Sequence, residues 1–458
     1  MQLPAKFTEK IIELIGEDEY LKYEASLDQN KACGLRVNTL KISPKEFRDA
    51  FSLQLPMQEP IAWTNDGFYY DNTLFPAKNP LYHAGLFYLQ DPSAMYPGQS
   101  LGVEPGDRVL DMCAAPGGKS TKIASELRGT GVLVANDISE TRVKALVYNL
   151  ERWGCKNAII TNEAPENLCK QFSGYFNKIL IDAPCSGEGM FRKDDEALAA
   201  WGKYDKSKFT QIQNELLEYA TQLLAPGGTI IYSTCTFDDA EDELIIKRFL
   251  ENHSDYTVQE PIKTGGISDG IGIKEAARLW PHRLRGEGHF TCKLKAPGSP
   301  DDYFMKSVDY KRQRSYKLLD GPQPEVREFW QKHMNSDIWK GYYLKINSNL
   351  YYLPIKPPNL DSLTVARFGL YMGDVEHYKF KPSHQFSLAC KKDEFKNNID
   401  YDGKDDEIRR FLLGETLTGV NCANGYAAVR VNGHIIGLVN VNGGVAKNMY
   451  PKGWRRVI

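Results

Sequence analysis

Between Gly106 and Cys235 the chain alternates short apolar runs with longer amphipathic stretches, and no other feature limits the fold as much. The runs RVLDM (108–112), GVLVA (131–135), NAIIT (157–161), KILID (178–182) and TIIYS (229–233) have strand length. The stretches between them, such as 141–153 and 212–224, carry helical spacing. Repeated strand–helix–strand units predict an α/β fold with a doubly wound, mainly parallel sheet. Ligands of such sheets sit beyond the carboxyl ends of the strands. Cys113, Asp137, Asp182, Cys185 and Cys235 all fall at or just past such ends.

The stretch LDMCAAPGGKSTKIA follows the first run and opens a helix. Its tail, Gly117-Gly118-Lys119-Ser120, imitates the end of a phosphate-binding P-loop. That motif needs a glycine five positions before Gly118, and Cys113 stands there. Asp182, an acid ending a strand, keeps a nucleotidase reading open. The GxGxxG fingerprint of dinucleotide folds is absent. A tight Gly-Gly turn lets backbone approach a ligand closely. Asp137, in VANDIS about 20 residues on, ends the second strand, where a carboxylate accepts both hydroxyls of a ribose. Together these predict an adenosine ligand without phosphates, S-adenosylmethionine.

Beside that donor stands ILIDAPCSGEG. Methylases of amino groups carry an Asn/Asp-Pro-Pro-aromatic turn, but here Cys185 follows Pro184. A thiol is useful when the target is a ring carbon. C5 of a pyrimidine is a poor nucleophile, and addition of a thiolate at C6 turns it into an enamine carbon. Asp182 is placed to hydrogen-bond or protonate N3 and stabilise the adduct. A second thiol, Cys235 in IIYSTCTF, also ends a strand. Either can attack, and spacing does not decide between them. Cys33, Cys155, Cys169, Cys292, Cys390 and Cys422 read as small hydrophobic fillers. Nine cysteines with no CxxC pair form neither a disulfide framework nor a zinc site. No metal is expected, and a reducing, cytoplasmic setting is.

A net charge of −2 gives no bulk attraction to polyanions, so an RNA partner must meet local basic patches. Three stand out. One holds Arg278, His282, Arg283, Arg285, Lys293 and Lys295, with Trp280 and Phe290 as stacking surfaces. The second holds Lys311, Arg312, Arg314 and Lys317, and the third Lys447, Lys452, Trp454, Arg455 and Arg456. Met190-Phe191-Arg192-Lys193 is expected to border the RNA path. No apolar run approaches a membrane span and the N-terminus has no leader pattern. The expectation is a monomer with no membrane or DNA partner.

Outside the central region, residues 1–95 read as mixed α/β, with a capped helix start at Ser43. Composition turns to loop near 296–302. The last stretch, with YAAVRVNG and HIIGLVNVNGG, reads as a small β-rich barrel.

LRVNTLK, DMCAAPGGKS, ANDISETR, DAPCSGEGMFR, STCTF and GGVAKNMYPKGWRR resemble the Sun (Fmu)-type RNA cytosine-5 methyltransferases, in particular their bacterial RsmF-like branch. The resemblance runs over most of the chain and is weakest across 301–385. It implies an accessory RNA-binding domain at 1–95, a Rossmann-like methyltransferase domain at 96–298, a connecting domain at 299–385 and a PUA-like RNA-binding domain at 386–458. It also implies Cys235 as nucleophile, with Cys185 assisting product release. DNA cytosine methylases use a Pro-Cys thiol instead. The donor would be held by Cys113, Ala114, Ala115, Pro116, Gly117, Gly118, Lys119, Asp137, Arg142 and Asp182. Lys119 and Asp182 would also face the target base. Where relatives place an Asp near the adenine, this chain reads Thr161-Asn162-Glu163-Ala164, so Glu163 or Asn162 takes that role. Asp238, Asp239 and Glu241 are expected to cap a helix starting near Ala240. The bound sulfonium and Lys119 would supply the field that ionises Cys235. The expected substrate is small-subunit ribosomal RNA, with tRNA the alternative. A catalytically silent RNA-binding assembly factor is the reading from another class.

Overall fold

The five apolar runs form adjacent strands at the centre of one ten-stranded sheet. The computed structural model describes residues 3–193, 198–199, 201–202, 206–299 and 314–455. Arg108–Asp111, Val132–Asn136, Ala158–Thr161, Phe176–Asp182 and Leu224–Thr234 pair in parallel. Arg108–Asp111 lies between Val132–Asn136 and Phe176–Asp182. The order therefore reverses beside the first strand, which opens a crevice at the carboxyl edge. His289–Lys295, Ile273–Leu279 and Ser268–Gly270 continue the sheet antiparallel beyond Leu224–Thr234. Helices Gly118–Leu127, Glu140–Trp153 and Lys206–Leu223 cover its faces. The buried strands are apolar on both sides, as a doubly covered sheet demands.

The N-terminal unit is mixed α/β as expected. Helices Ala5–Ile15 and Glu17–Leu27 precede a four-stranded antiparallel sheet that includes Cys33–Val37 and Phe87–Leu89. Ser43 caps the helix Pro44–Phe51 in a reciprocal capping box with Glu46. This unit also braces the crevice. Buried Arg36 donates to Gly118 O (2.8 Å) and Thr121 Oγ1 (2.5 Å) at the start of the first covering helix.

The segment 299–385 is less separate than the sequence suggests. Val365–Phe368 joins the central sheet, antiparallel to Ala158–Thr161. Strands between Lys317 and Pro382 build a separate five-stranded sheet. The strand-like runs of the C-terminal stretch, Gly425–Val431 and His434–Asn442, pair antiparallel inside a five-stranded sheet. Pro300, Asp301 and Asp302 of the expected boundary lie outside the described residues. No helix among the described residues is long and apolar enough to cross a membrane.

Candidate active site

Asp182 stands opposite Ser233 in the parallel register, so the loops that follow these two strands run side by side. Cys185 Sγ and Cys235 Sγ come to 3.4 Å, both half-buried. The loops are fastened together. Ser186 and Thr236 share a hydroxyl hydrogen bond of 2.8 Å, and Gly189 N donates to Cys235 O at 2.8 Å. Glu241 Oε2 accepts from Ser186 N (3.0 Å) and Gln213 Nε2 (2.9 Å). A side chain at Gly189 would place its Cβ 2.9 Å from Cys235 O, so only glycine allows this approach. The hydrogen bond to Cys235, with burial, pushes the Cys185 thiol well above its ordinary range.

Lys119 Nζ donates to Asp182 Oδ2 at 2.6 Å, and Ser233 Oγ donates to Oδ1 at 2.9 Å. His289 Nε2 lies 3.4 Å from the same Oδ1. Burial pushes the Asp182 carboxyl up, but the Lys119 ammonium and His289 outweigh it and hold the group well below the usual carboxylate range. An ionised carboxylate, an ammonium and two thiols therefore share one end of the crevice.

The glycine-rich loop turns through a cis Ala115–Pro116 bond and a left-handed Gly117, with φ 111°. Ala115 N and Ser139 N donate to the two oxygens of Asp137, at 3.2 and 2.9 Å. Arg142 bonds Ala115 O and lies 3.5 Å from Asp137 Oδ2, so it ties the loop to the second strand. A carboxylate offers about four acceptor sites, so Asp137 keeps capacity for ribose hydroxyls. Ser120 Oγ donates to buried Asp111 Oδ2 at 2.6 Å, and Asp111 Oδ1 has no hydrogen-bond partner among the described residues. Burial pushes the Asp111 carboxyl up to about 7. Burial also raises the Cys113 thiol. The lysine and serine of the P-loop-like tail are thus spent on carboxylates. Asp111, Asp137 and Asp182 make the crevice hostile to a triphosphate and suited to ribose and a cationic sulfonium.

Family models match most of the chain. The model described as 16S rRNA methyltransferase RsmB/F matches residues 99–295. The RsmF N-terminal domain matches 3–92, the first RsmF C-terminal domain 328–390 and the RsmF PUA domain 398–456. Ribosomal RNA small subunit methyltransferase F of Vibrio vulnificus strain YJ016 is 30% identical over 468 residues, covering 98% of this chain and 97% of that protein. The chain belongs to the RsmF family of methyltransferases. The Erwinia tasmaniensis member is 35% identical over 308 residues, covering 65% of this chain and 64% of that protein. A crystal structure of a methyltransferase homolog from Pyrococcus horikoshii is 30% identical, with TM-score 0.56, covering 63% of this chain and 94% of that one. The structure of NSun6 from Pyrococcus horikoshii with SFG, at 22% identity and TM-score 0.57, covers 65% and 99% and matches in fold. The cofactor of the RsmF-family chain is S-adenosylmethionine.

The structure of this RsmF-family chain gives several of the expected site residues protein partners and moves one helix start. Glu163 is buried, and its carboxylate oxygens accept from Thr364 N (2.6 Å) and Asn167 Nδ2 (2.8 Å). It anchors the strand Val365–Phe368 to the crevice wall. Asn162 Nδ2 donates to Asp137 O at 2.8 Å. Gly118 faces the N-terminal unit, where a Cβ would meet Gln90 Nε2 at 3.1 Å. The helix expected near Ala240 starts at Glu243. Asp242 and Glu243 pair with buried Arg278, Asp238 pairs with Lys10, and Glu241 binds Ser186. Asp238 Oδ1 accepts from Ala240 N at 3.1 Å, so this acid caps the turn that precedes the helix rather than the helix itself.

The basic clusters divide in the same way. Arg278, Trp280 and Phe290 are buried, and Arg192 is buried against Glu287 at 2.7 Å, so none of them forms an RNA surface. Phe191 packs against Phe7 in the core, and Lys193 binds Asp91 at 2.7 Å. His282 and Arg283 bind Glu19, and Arg285 pairs with Glu59. The Trp454 ring packs against Tyr148, with centroids 4.5 Å apart. Arg314, Lys317, Lys447, Lys452 and Arg455 are exposed. Lys311, Arg312 and Arg456 lie outside the described residues. Sequence reasoning missed Arg36, Asp111, Asn136 and His289. Asp111 was within reach, as an acid ending the first strand. Asn136, which bonds Met112 O and Glu163 O, gives no signal apart from its place.

Proposed function

We propose that this chain methylates C5 of a cytosine in small-subunit (16S) ribosomal RNA, through a transient bond from Cys235 to C6. The observation that carries the reading is the meeting of two thiols 3.4 Å apart with a Lys119–Asp182 pair at one strand edge. An amino-group methylase has no use for a second thiol there. The substrate class comes from the names of the full-length relatives.

S-adenosylmethionine, when bound, supplies an electrophilic methyl group beside a sulfonium. The loop Cys113 to Lys119, Asp137 and Arg142 would hold it, with Asp111 and Asp182 facing its positive charge. As Cys235 Sγ, ionised, forms its bond to C6, the C5–C6 π pair moves into the ring toward N3, which takes a proton from water and donates a hydrogen bond to the Asp182 carboxylate. Lys119 orients Asp182 and adds positive field near the thiols. After C5 takes the methyl group, loss of the C5 proton rebuilds the C5–C6 double bond and expels Cys235. Cys185 assists this release. The target base must leave its stack to reach the crevice. The exposed cations of the PUA unit, Lys447, Lys452 and Arg455, would hold backbone phosphates.

The test is methylation with labelled donor of 16S rRNA, assembled small subunits and tRNA, followed by bisulfite mapping. A single 5-methylcytosine in the ribosomal substrate supports the reading. Label confined to tRNA, or to an exocyclic amine, overturns it.

A further inference from the structure

Glu188, three residues past Cys185, is 1% exposed and joins distant parts of the chain. Its Oε1 accepts from Lys10, on the helix Ala5–Ile15, and from Trp201 Nε1 at 2.8 Å. Its Oε2 accepts from Phe237 N, two residues past Cys235, at 3.3 Å. Lys10 Nζ also lies 3.3 Å from Asp238 Oδ2. One lysine of an N-terminal helix thus ties the loop of Cys185 to the loop of Cys235. Apolar contacts follow the same path. Phe7 packs against Phe191 with centroids 5.2 Å apart, and Tyr23, on the helix Glu17–Leu27, meets Phe237 edge-on at 5.7 Å. Desolvation offsets much of the attraction in a buried ion pair, so the pair is weak evidence of stability. What this one fixes is the place of the two loops relative to each other.

We propose that Glu188 and Lys10 are positioning residues for product release, which hold the Cys185 loop in register with the Cys235 loop. The inference rests on the cytosine-5 reading above. Attack on C6 needs one placed thiol, Cys235. Release needs two, because Cys185 must stand beside the sulfur that leaves. Loosening the tie between the loops therefore shows first in release. Glutamine has the shape of glutamate but only one acceptor oxygen. Turned one way at position 188, its NH2 group faces Phe237 N. Turned the other way, it faces Lys10 and Trp201. In both cases a donor meets a donor and one side of the tie is lost. The N-terminal unit thereby reaches both ends of the crevice, through Arg36 at the cofactor loop and through Lys10 at the thiols.

The test is adduct accumulation on denaturing gels with both cysteines present, beside steady-state kinetics. Glu188→Gln and Lys10→Met, incubated with S-adenosylmethionine and the ribosomal substrate, should accumulate a protein–RNA adduct, as Cys185→Ala does. Their kcat should fall on the order of 10²-fold, the scale of a misplacement of about 1 Å, while KM for the donor stays within about twofold. A merely structural loss of packing lowers turnover without trapping RNA. Lys10→Arg keeps the charge and should clear the adduct. Lys10 is only half-buried, so Lys10→Met carries the test where Glu188→Gln perturbs folding. No adduct from Lys10→Met, where Cys185→Ala accumulates one, overturns the proposal alone. Lys10→Arg loaded as heavily as Lys10→Met does the same. No adduct from Cys185→Ala overturns the covalent reading and this proposal with it.

Discussion

Cys185 and Cys235 are 50 residues apart in sequence, yet their sulfurs stand 3.4 Å apart. The parallel pairing of Phe176–Asp182 with Leu224–Thr234 brings their loops together, and Glu241 with Gln213 holds them there. Two free thiols so close are poised for disulfide formation. Diamide, a two-electron thiol oxidant, should join them with loss of two protons and abolish methyl transfer, and dithiothreitol should restore it. Peptide mapping that finds both thiols free after diamide would contradict this contact.

Much of this arrangement was legible in the sequence, because it follows from local periodicity. The five parallel strands, the Gly-Gly turn and the residues at strand ends all come from apolar runs and helix starts. Long-range ion pairing is what sequence could not supply. Arg278 and Arg192 look like RNA contacts in a linear cluster, but each is buried beside carboxylates, Asp242 and Glu243 for one and Glu287 for the other. Glu163 also receives a hydrogen bond from Thr364 N, about 200 residues on, a tie that its sequence neighbourhood does not show. Val365–Phe368 pairs across a similar distance, which no short-range pattern reveals.

The two kinds of arginine should separate by experiment. Arg192→Gln should cost about 3–5 kcal/mol of stability, since it leaves Glu287 without its close partner, and leave the salt dependence of RNA binding unchanged. Lys452→Ala or Arg455→Ala should leave stability near wild type and lower the salt slope by about one. Denaturant melts and binding at several salt concentrations check both. A reduced slope in the Arg192 variant would return that residue to the RNA surface.

Arg36 links the N-terminal unit to the cofactor loop through Gly118 O and Thr121. Arg36→Met is expected to weaken S-adenosylmethionine binding by about tenfold, in line with loss of a charge-assisted hydrogen bond. Isothermal titration reads this directly, and unchanged affinity would mean that the brace does not shape the loop.

Asp111 gives a pH signature. Its folded-state carboxyl is raised from 3.8 to about 7, so the folded chain holds the proton more tightly than the unfolded one. The associated stability is full below the ordinary value and is lost as pH rises toward about 7. Asp111→Asn, neutral throughout, should therefore melt higher than wild type at pH 8 and level with it only below about pH 3.8. A constant difference across this range would place the titration elsewhere.

The central claim is the covalent bond from Cys235 to C6, and trapping on denaturing gels tests it most directly. Incubated with S-adenosylmethionine and substrate RNA, Cys185→Ala should accumulate a protein–RNA adduct stable to denaturant, because attack survives and release fails. Cys235→Ala should form none, alone or combined with Cys185→Ala. Equal adduct from both single variants, or adduct only from Cys235→Ala, would contradict the account.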